Sequence, residues 1–139
     1  MAKSKPTTTI TTTTEPLPPS FRRIRLLLAR ETRHPAGSAE DGYDLIAALD
    51  DDGRLDSHLW KSHRDRFRFV RFRPDSDRQV GHLVHQPGGS WAFHFDITGE
   101  HSDAAGFRFQ NERFVVGEYV SIREDDKLHT YRVVAVGPI

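Results

Sequence analysis

"RFRFVRFR", residues 66 to 73, is the stretch that decides the fold. Charged and aromatic residues alternate along it, and a strand turns successive side chains to opposite faces. The alternation changes phase at Phe69-Val70. A β-bulge there would turn Phe67, Phe69, Val70 and Phe72 mostly inward and Arg66, Arg68, Arg71 and Arg73 outward. Pro74 has no N–H to give a sheet, so the strand ends before it. The four arginines would then line about 20 Å of strand, enough charge to attract an acidic protein or a phosphate-bearing ligand. Arg22, Arg23 and Arg25 add to this face if their strand is a neighbour, while the acidic stretch Glu40 to Asp56 offsets it.

Downstream, the strand signal continues. Val80 to Gln86 and Trp91 to Ile97 read as a hairpin, "GFRFQ" at 106 to 110 as a short strand, and "GEYVSIRE" with "LHTYRVVAV" as a last hairpin turning at Asp125-Asp126. Upstream, "RRIRLLLAR" places Ile24, Leu26 and Leu28 on one face. Residues 33 to 42 read as a loop, and "YDLIAAL" from Tyr43 as a second strand, with a helix as the competing reading of its Ala/Leu content. "DDDG", 50 to 53, is a turn. An EF-hand reading fails, because Gly53 at the sixth position puts Ala48 first and Leu59 twelfth. Asp56 or Ser57 then caps one short helix over about 57 to 65, with Leu55, Leu59, Trp60 and His63 on one face. The predicted class is mainly β, all-β or α+β: a small antiparallel barrel of seven to eight strands with one helix, since closure removes exposed edges.

Residues 1 to 20 differ in kind. They hold seven Thr and four Pro, with only Ile10 and Leu17 available for burial. Too little apolar area is present to offset backbone entropy, so a disordered tail followed by one domain over 21 to 139 is expected. The stretch "RFVVGEYVSI", 113 to 122, resembles a strand entry common in small β-barrels, with Gly117 taking a backbone angle closed to other residues. As a whole the chain resembles short bacterial proteins of unknown function with a barrel-like C-terminal half, a resemblance that implies no activity.

Composition narrows the chemistry. The 139 residues carry equal numbers of basic and acidic side chains, which argues against a dedicated nucleic-acid binder. The spacing of "FRFVRF" is similar to the core strand of RNA-recognition motifs, yet Asp65-Arg66 stands where Lys/Arg-Gly belongs, and the aromatics read better as core. There is no cysteine, so disulfides, thiolate catalysis and Cys-ligated metals are excluded. No apolar run approaches the roughly 18 residues that span a bilayer, and Leu26 to Ala29 is too short for a signal-peptide core. A cytoplasmic protein without membrane contact is expected.

"GHLVHQPGGSWAFHFD", 81 to 96, concentrates histidines. With Gly88-Gly89 as a two-residue loop, Gln86 faces Trp91, Val84 faces Phe93 and His82 faces Phe95. Val84, Trp91, Phe93 and Phe95 would form the core side. His85, His94 and Asp96 would share the reverse side, with His85 and His94 as diagonal neighbours. "HFD" resembles the first half of the two-His-one-carboxylate triad of non-haem iron oxygenases, and His101 or His129 would complete it. A cupin-like His-x-His fails on spacing, because His82 and His85 point to opposite sides of a strand. His94 beside Asp96 would also suit acid–base work, though no Gly-x-Ser-x-Gly nucleophile accompanies it. A sheet surface whose histidines are satisfied by backbone or water explains the same residues. Two functions follow. One is a non-catalytic binding module without a cofactor, using Arg66, Arg68, Arg71 and Arg73. The other is a protein or enzyme that holds a divalent metal ion on His85, His94 and Asp96.

Overall fold

The computed structural model describes residues 17–30, 35–96 and 107–139. Eight strands follow one another around a closed barrel: β1 Phe21–Leu28, β2 Ser38–Ala48, β3 Arg68–Arg73, β4 Ser76–His85, β5 Trp91–Phe95, β6 Arg108–Phe109, β7 Tyr119–Glu124 and β8 Lys127–Pro138. Each strand pairs antiparallel with the next, and β8 closes on β1 through Leu26↔Val133 and Leu28↔Tyr131. This is the predicted mainly-β barrel, closed between β5 and β7 by the two-residue β6.

The helix α1, Ser57–Ser62, is shorter than the predicted span. A single 3₁₀ turn, Arg64–Arg66, finishes the connection to β3. Asp56 caps α1 by accepting from the backbone N–H groups of His58 and Leu59 at 3.0 and 3.1 Å. Trp60 carries α1 onto the barrel end where β4 stops and β5 starts. Its Nε1 donates to Leu83 O at 2.9 Å and its ring meets Trp91 edge-on at 6.1 Å. We call this the helix end.

An eight-stranded barrel is just wide enough inside for side chains to fill it. Here aromatic rings do so in a column. Phe67 stacks on Trp91 near the helix end; Phe69, Phe93 and Phe109 meet at mid-height; Tyr43 stacks on Phe93 at 4.7 Å and touches Tyr131 at 5.3 Å toward the far end. Phe67, Phe93, Tyr43, Leu45, Val120 and Ile122 have no exposed area. Each such ring contributes about 1.5–3 kcal/mol by leaving water. The outer face carries Arg23, Arg25, Asp44, Arg68 and Asp96. Apolar inside and charged outside is the inverse of a lipid-embedded barrel. Among the described residues, no helix is long and apolar enough to cross a membrane.

Strand boundaries moved where the backbone found partners. β2 begins at Ser38, inside the predicted loop, and β4 begins at Ser76. Leu17, assigned to the tail, packs partly against the core, and Phe21 N donates to Pro18 O at 3.1 Å. The rest of the predicted tail, residues 1–16, lies outside the described residues. Gly117 takes φ +95° as expected, and Asp125 turns the β7–β8 hairpin at φ +60°.

Candidate functional site

Two predicted orientations are corrected, and both corrections bear on the site. The first is β3. Its alternation does not change phase at Phe69-Val70; Phe67, Phe69 and Arg71 all face inward, and the register shift falls later, between Arg71 and Arg73. Phe72 points outward instead. It sits against Gly42, with the Arg25 and Arg78 guanidiniums over its ring at 5.0 and 5.7 Å. The four arginines therefore form no stripe. Arg66 ends the 3₁₀ turn, Arg68 is exposed on the outer face, Arg71 is buried in the barrel, and Arg73 stands half-buried at the far end.

Arg71 is tolerated inside because its charge is matched. Nη1 donates to Asp41 Oδ1 at 2.7 Å, Gly42 O at 3.1 Å and Phe72 O at 2.7 Å; Nη2 donates to Tyr131 Oη at 3.1 Å and, at 3.5 Å, to Glu124 Oε1. Nε lies 3.1 Å from Glu124 Oε2, close enough for charge attraction but too bent for a hydrogen bond. The guanidinium stands 4.7 Å over the Tyr43 ring. Glu124, itself buried, accepts from Tyr43 Oη and, at 3.0 Å, from Tyr131 Oη. Burial first, and the Glu124 charge second, push both phenols well above their ordinary range, so both stay protonated donors. Burial works against the Arg71 charge, but Tyr43, Tyr131, Glu124 and Asp41 outweigh it. This network seals the far end of the barrel. Of its buried polar atoms only Arg71 Nε lacks a hydrogen bond, and it faces the Glu124 carboxylate.

The second correction is the β4–β5 hairpin. Its loop is three residues, Pro87-Gly88-Gly89, not two. Gly89 N donates to Gln86 O at 3.1 Å and Gln86 N to Ser90 O at 2.9 Å, while Gly88 and Gly89 take φ +92° and +97°. Pro87 fixes the first corner and the glycines supply the positive angles. The extra residue shifts the register by one, which sends every side chain of one strand to the other face. His85 now pairs with Trp91, Leu83 with Phe93 and Gly81 with Phe95 on the inside; His82 pairs with His94 on the outside. His85 and His94 thus face opposite sides of the sheet wall. The proposed set of His85, His94 and Asp96 is broken by this register. His129, one suggested third ligand, is 3.9 Å from Glu124 at the far end of the interior, and His101 lies outside the described residues. Among the described residues, no group of three or more His, Asp or Glu is arranged to hold a metal ion.

The register builds a different cluster. Reading across the strands, Arg23 pairs with Ile46, Ile46 with Arg68, Arg68 with His82, and His82 with His94. These five side chains form one outward row over β1 to β5, about 19 Å wide at the usual strand spacing. Asp96, two residues beyond His94, reaches back into the row. Its Oδ2 accepts from Arg68 Nη2 at 2.6 Å and its Oδ1 lies 3.1 Å from His82 Nδ1. Partial burial pushes the Asp96 carboxyl up, but the hydrogen bonds and charges of Arg68 and His82 outweigh it and hold it below the usual carboxylate value. The His82 and His94 rings stand 4.9 Å apart. Asp96 therefore joins His82 and not His94, contrary to the predicted acid–base pair.

The next outward row runs Arg25, Asp44, Val70 and Val80 across β1 to β4: an ion pair, Arg25 Nε 3.5 Å from Asp44 Oδ1, on the β1–β2 side and two valines on the β3–β4 side. Val70 pairs with Val80 across β3 and β4, and Val80 is 42% exposed. Together with Ile46 they give the charged row an aliphatic border.

Tyr43, Asp41, Glu124 and Tyr131 escaped the sequence reading. A signal was present, because Glu124 continues the inward phase of Val120 and Ile122, and Arg71 that of Phe67 and Phe69. Opposite charges in the inward phase of two strands announce a buried pair.

Compared with family models, curated proteins and solved structures, the chain finds no match in any of the three.

Proposed function

We propose that this barrel is a non-catalytic binding module that docks a protein partner with an acidic surface on the outer face of β1 to β5. The observation that carries the reading is the continuous row Arg23, Ile46, Arg68, His82 and His94. The aromatic column fills the barrel interior, so small-molecule carriage in the manner of ligand-holding barrels has no room there. Polar chemistry is accessible on the outer wall, where one carboxylate, Asp96, is shared between Arg68 and His82.

The aliphatic border of Ile46, Val70 and Val80 favours a protein over a phosphate backbone. Protein interfaces join an apolar centre to a polar rim, whereas nucleic-acid surfaces join dense positive charge to stacking aromatics. The aromatics of β3 and β5 are instead committed to the core or, for Phe72, covered by Arg25 and Arg78.

Fluorescence anisotropy with a labelled oligoaspartate peptide tests the reading. Wild type binds it, and Arg23→Glu/Arg68→Glu, with unchanged tryptophan emission, weakens binding at least about tenfold by converting attraction to repulsion. Equal affinity of the two proteins for the peptide removes this face from consideration.

A further inference from the structure

The row is not built like an ordinary basic patch. Two of its four ionisable members are imidazoles, and imidazole is the side chain whose charge ordinarily changes between about pH 5 and 8. They are adjacent, 4.9 Å apart at the ring centroids. Asp96 is held between Arg68 and His82, and a second carboxylate on this face, Asp44 in the next row, is paired with Arg25 at 3.5 Å. Other charges face the pair from the strands on either side: Arg68 from β3, and Arg108 from β6, next to Ala92 of β5. His85 does not take part, since it turns inward against Trp91 and Trp60.

We infer that His82 and His94 make this docking face acid-strengthened, so that it binds an acidic polypeptide more tightly as pH falls. The inference rests on the binding-module reading above and adds its regulation.

With both imidazoles neutral, Asp96 cancels much of the Arg68 charge, and Arg23 stands apart at the far side of the row. Protonation adds two positive charges to the middle of the face. Two imidazolium rings at this distance repel each other, and a carboxylate docked between them relieves the repulsion. Binding and proton uptake are therefore coupled, and the coupling is reciprocal: the partner draws protons onto the pair, and protons draw the partner. Asp96 keeps its charge throughout this range because Arg68 and His82 hold it ionised. The change is thus confined to the imidazoles.

The test uses the full chain and the labelled oligoaspartate peptide, whose carboxylates remain ionised down to about pH 5. Dissociation constants are measured at about pH 7.5 and 5.5 in constant, moderate salt. The ratio of the two constants is the readout. For wild type the ratio is roughly tenfold or more in favour of the lower pH, within the usual range for coupled equilibria. For His82→Gln/His94→Gln the ratio falls to near one. A wild-type ratio near one overturns the inference while leaving the binding reading intact, and so does a double variant that keeps the full ratio. Failure of the binding reading looks different: no dependence on Arg23 and Arg68 at either pH. A labelled single-stranded oligonucleotide serves as the competing probe. Tighter binding to it than to oligoaspartate at both pH values overturns the choice of an acidic polypeptide. Far-ultraviolet spectra at both pH values, unchanged for each variant, tie the ratio to binding rather than to unfolding.

Discussion

Arg71 and Arg68 lie three residues apart on one strand, yet replacing each by methionine will have very different consequences. The Arg71 side chain is 2% exposed and its partner Glu124 is 7% exposed. Arg71→Met keeps the stem and removes the charge. It strands the Glu124 carboxylate in the barrel with two phenol donors, and Arg73 at 3.7 Å as the remaining cation. It also takes a donor from Asp41 and from the carbonyls of Gly42 and Phe72. Removing one partner of a buried pair costs about 3–5 kcal/mol, and the surviving donors place this case near 3 kcal/mol. Arg68→Met breaks a bridge whose side chains are 44% and 34% exposed. Solvent screening limits that loss to about 0–1 kcal/mol. Urea unfolding followed by Trp60 and Trp91 emission reads both. With an m-value of about 1–3 kcal/mol/M, the Arg71 midpoint drops by about 1–3 M, and the Arg68 midpoint, at the same m-value, by no more than about a third as much. The double variant Arg71→Met/Glu124→Gln recovers about half of the loss, since the buried Glu124 carboxylate is gone and only the better-exposed Asp41 is left without its donor. Equal, small shifts for Arg71→Met and Arg68→Met would refute the inward placement of Arg71.

Two further outcomes concern the barrel itself. Gly81→Ala places a methyl 2.1 Å from the His94 carbonyl oxygen and 2.7 Å from Phe69 Cε1, so β4 must move away from β5; a loss of about 2–3 kcal/mol in thermal or urea unfolding is expected, and a neutral result would deny the close approach. Alkaline titration should unfold the protein. The folded phenols of Tyr43 and Tyr131 are raised above the unfolded value near 10, so their contribution is complete below that pH and is lost above it. Tyrosinate absorbance from these two residues, isolated by Tyr119→Phe, should appear together with loss of the far-ultraviolet strand signal rather than before it.

The barrel was legible because strand periodicity is written residue by residue. Ile24, Leu26 and Leu28 mark the inward face of β1, and Val120 and Ile122 that of β7, without help from distant contacts. The helix was legible from Asp56 and the apolar face behind it. The cluster was not, because it depends on one loop residue. Counting Pro87 in or out of the turn decides whether His85 or His82 joins His94. Nothing local to the strands fixes that choice; it is settled by Leu83 and Trp91 both finding the core. Arg71 was misplaced for a related reason. A lone charge in an inward position invites a bulge, and its acceptors, Asp41 and Glu124, are 30 and 53 residues away in sequence.

In the proposed module the outer wall of β1 to β5 meets the partner while the interior stays closed. Amide chemical-shift mapping of the labelled protein, titrated with unlabelled oligoaspartate at about pH 6, where an ordinary imidazole is largely charged, tests this. The largest shifts are expected on Arg23, Ile46, Arg68, His82 and His94 and their cross-strand neighbours. Shifts concentrated instead at the far end, around Asp41, Arg73, Glu124 and His129, would contradict that placement.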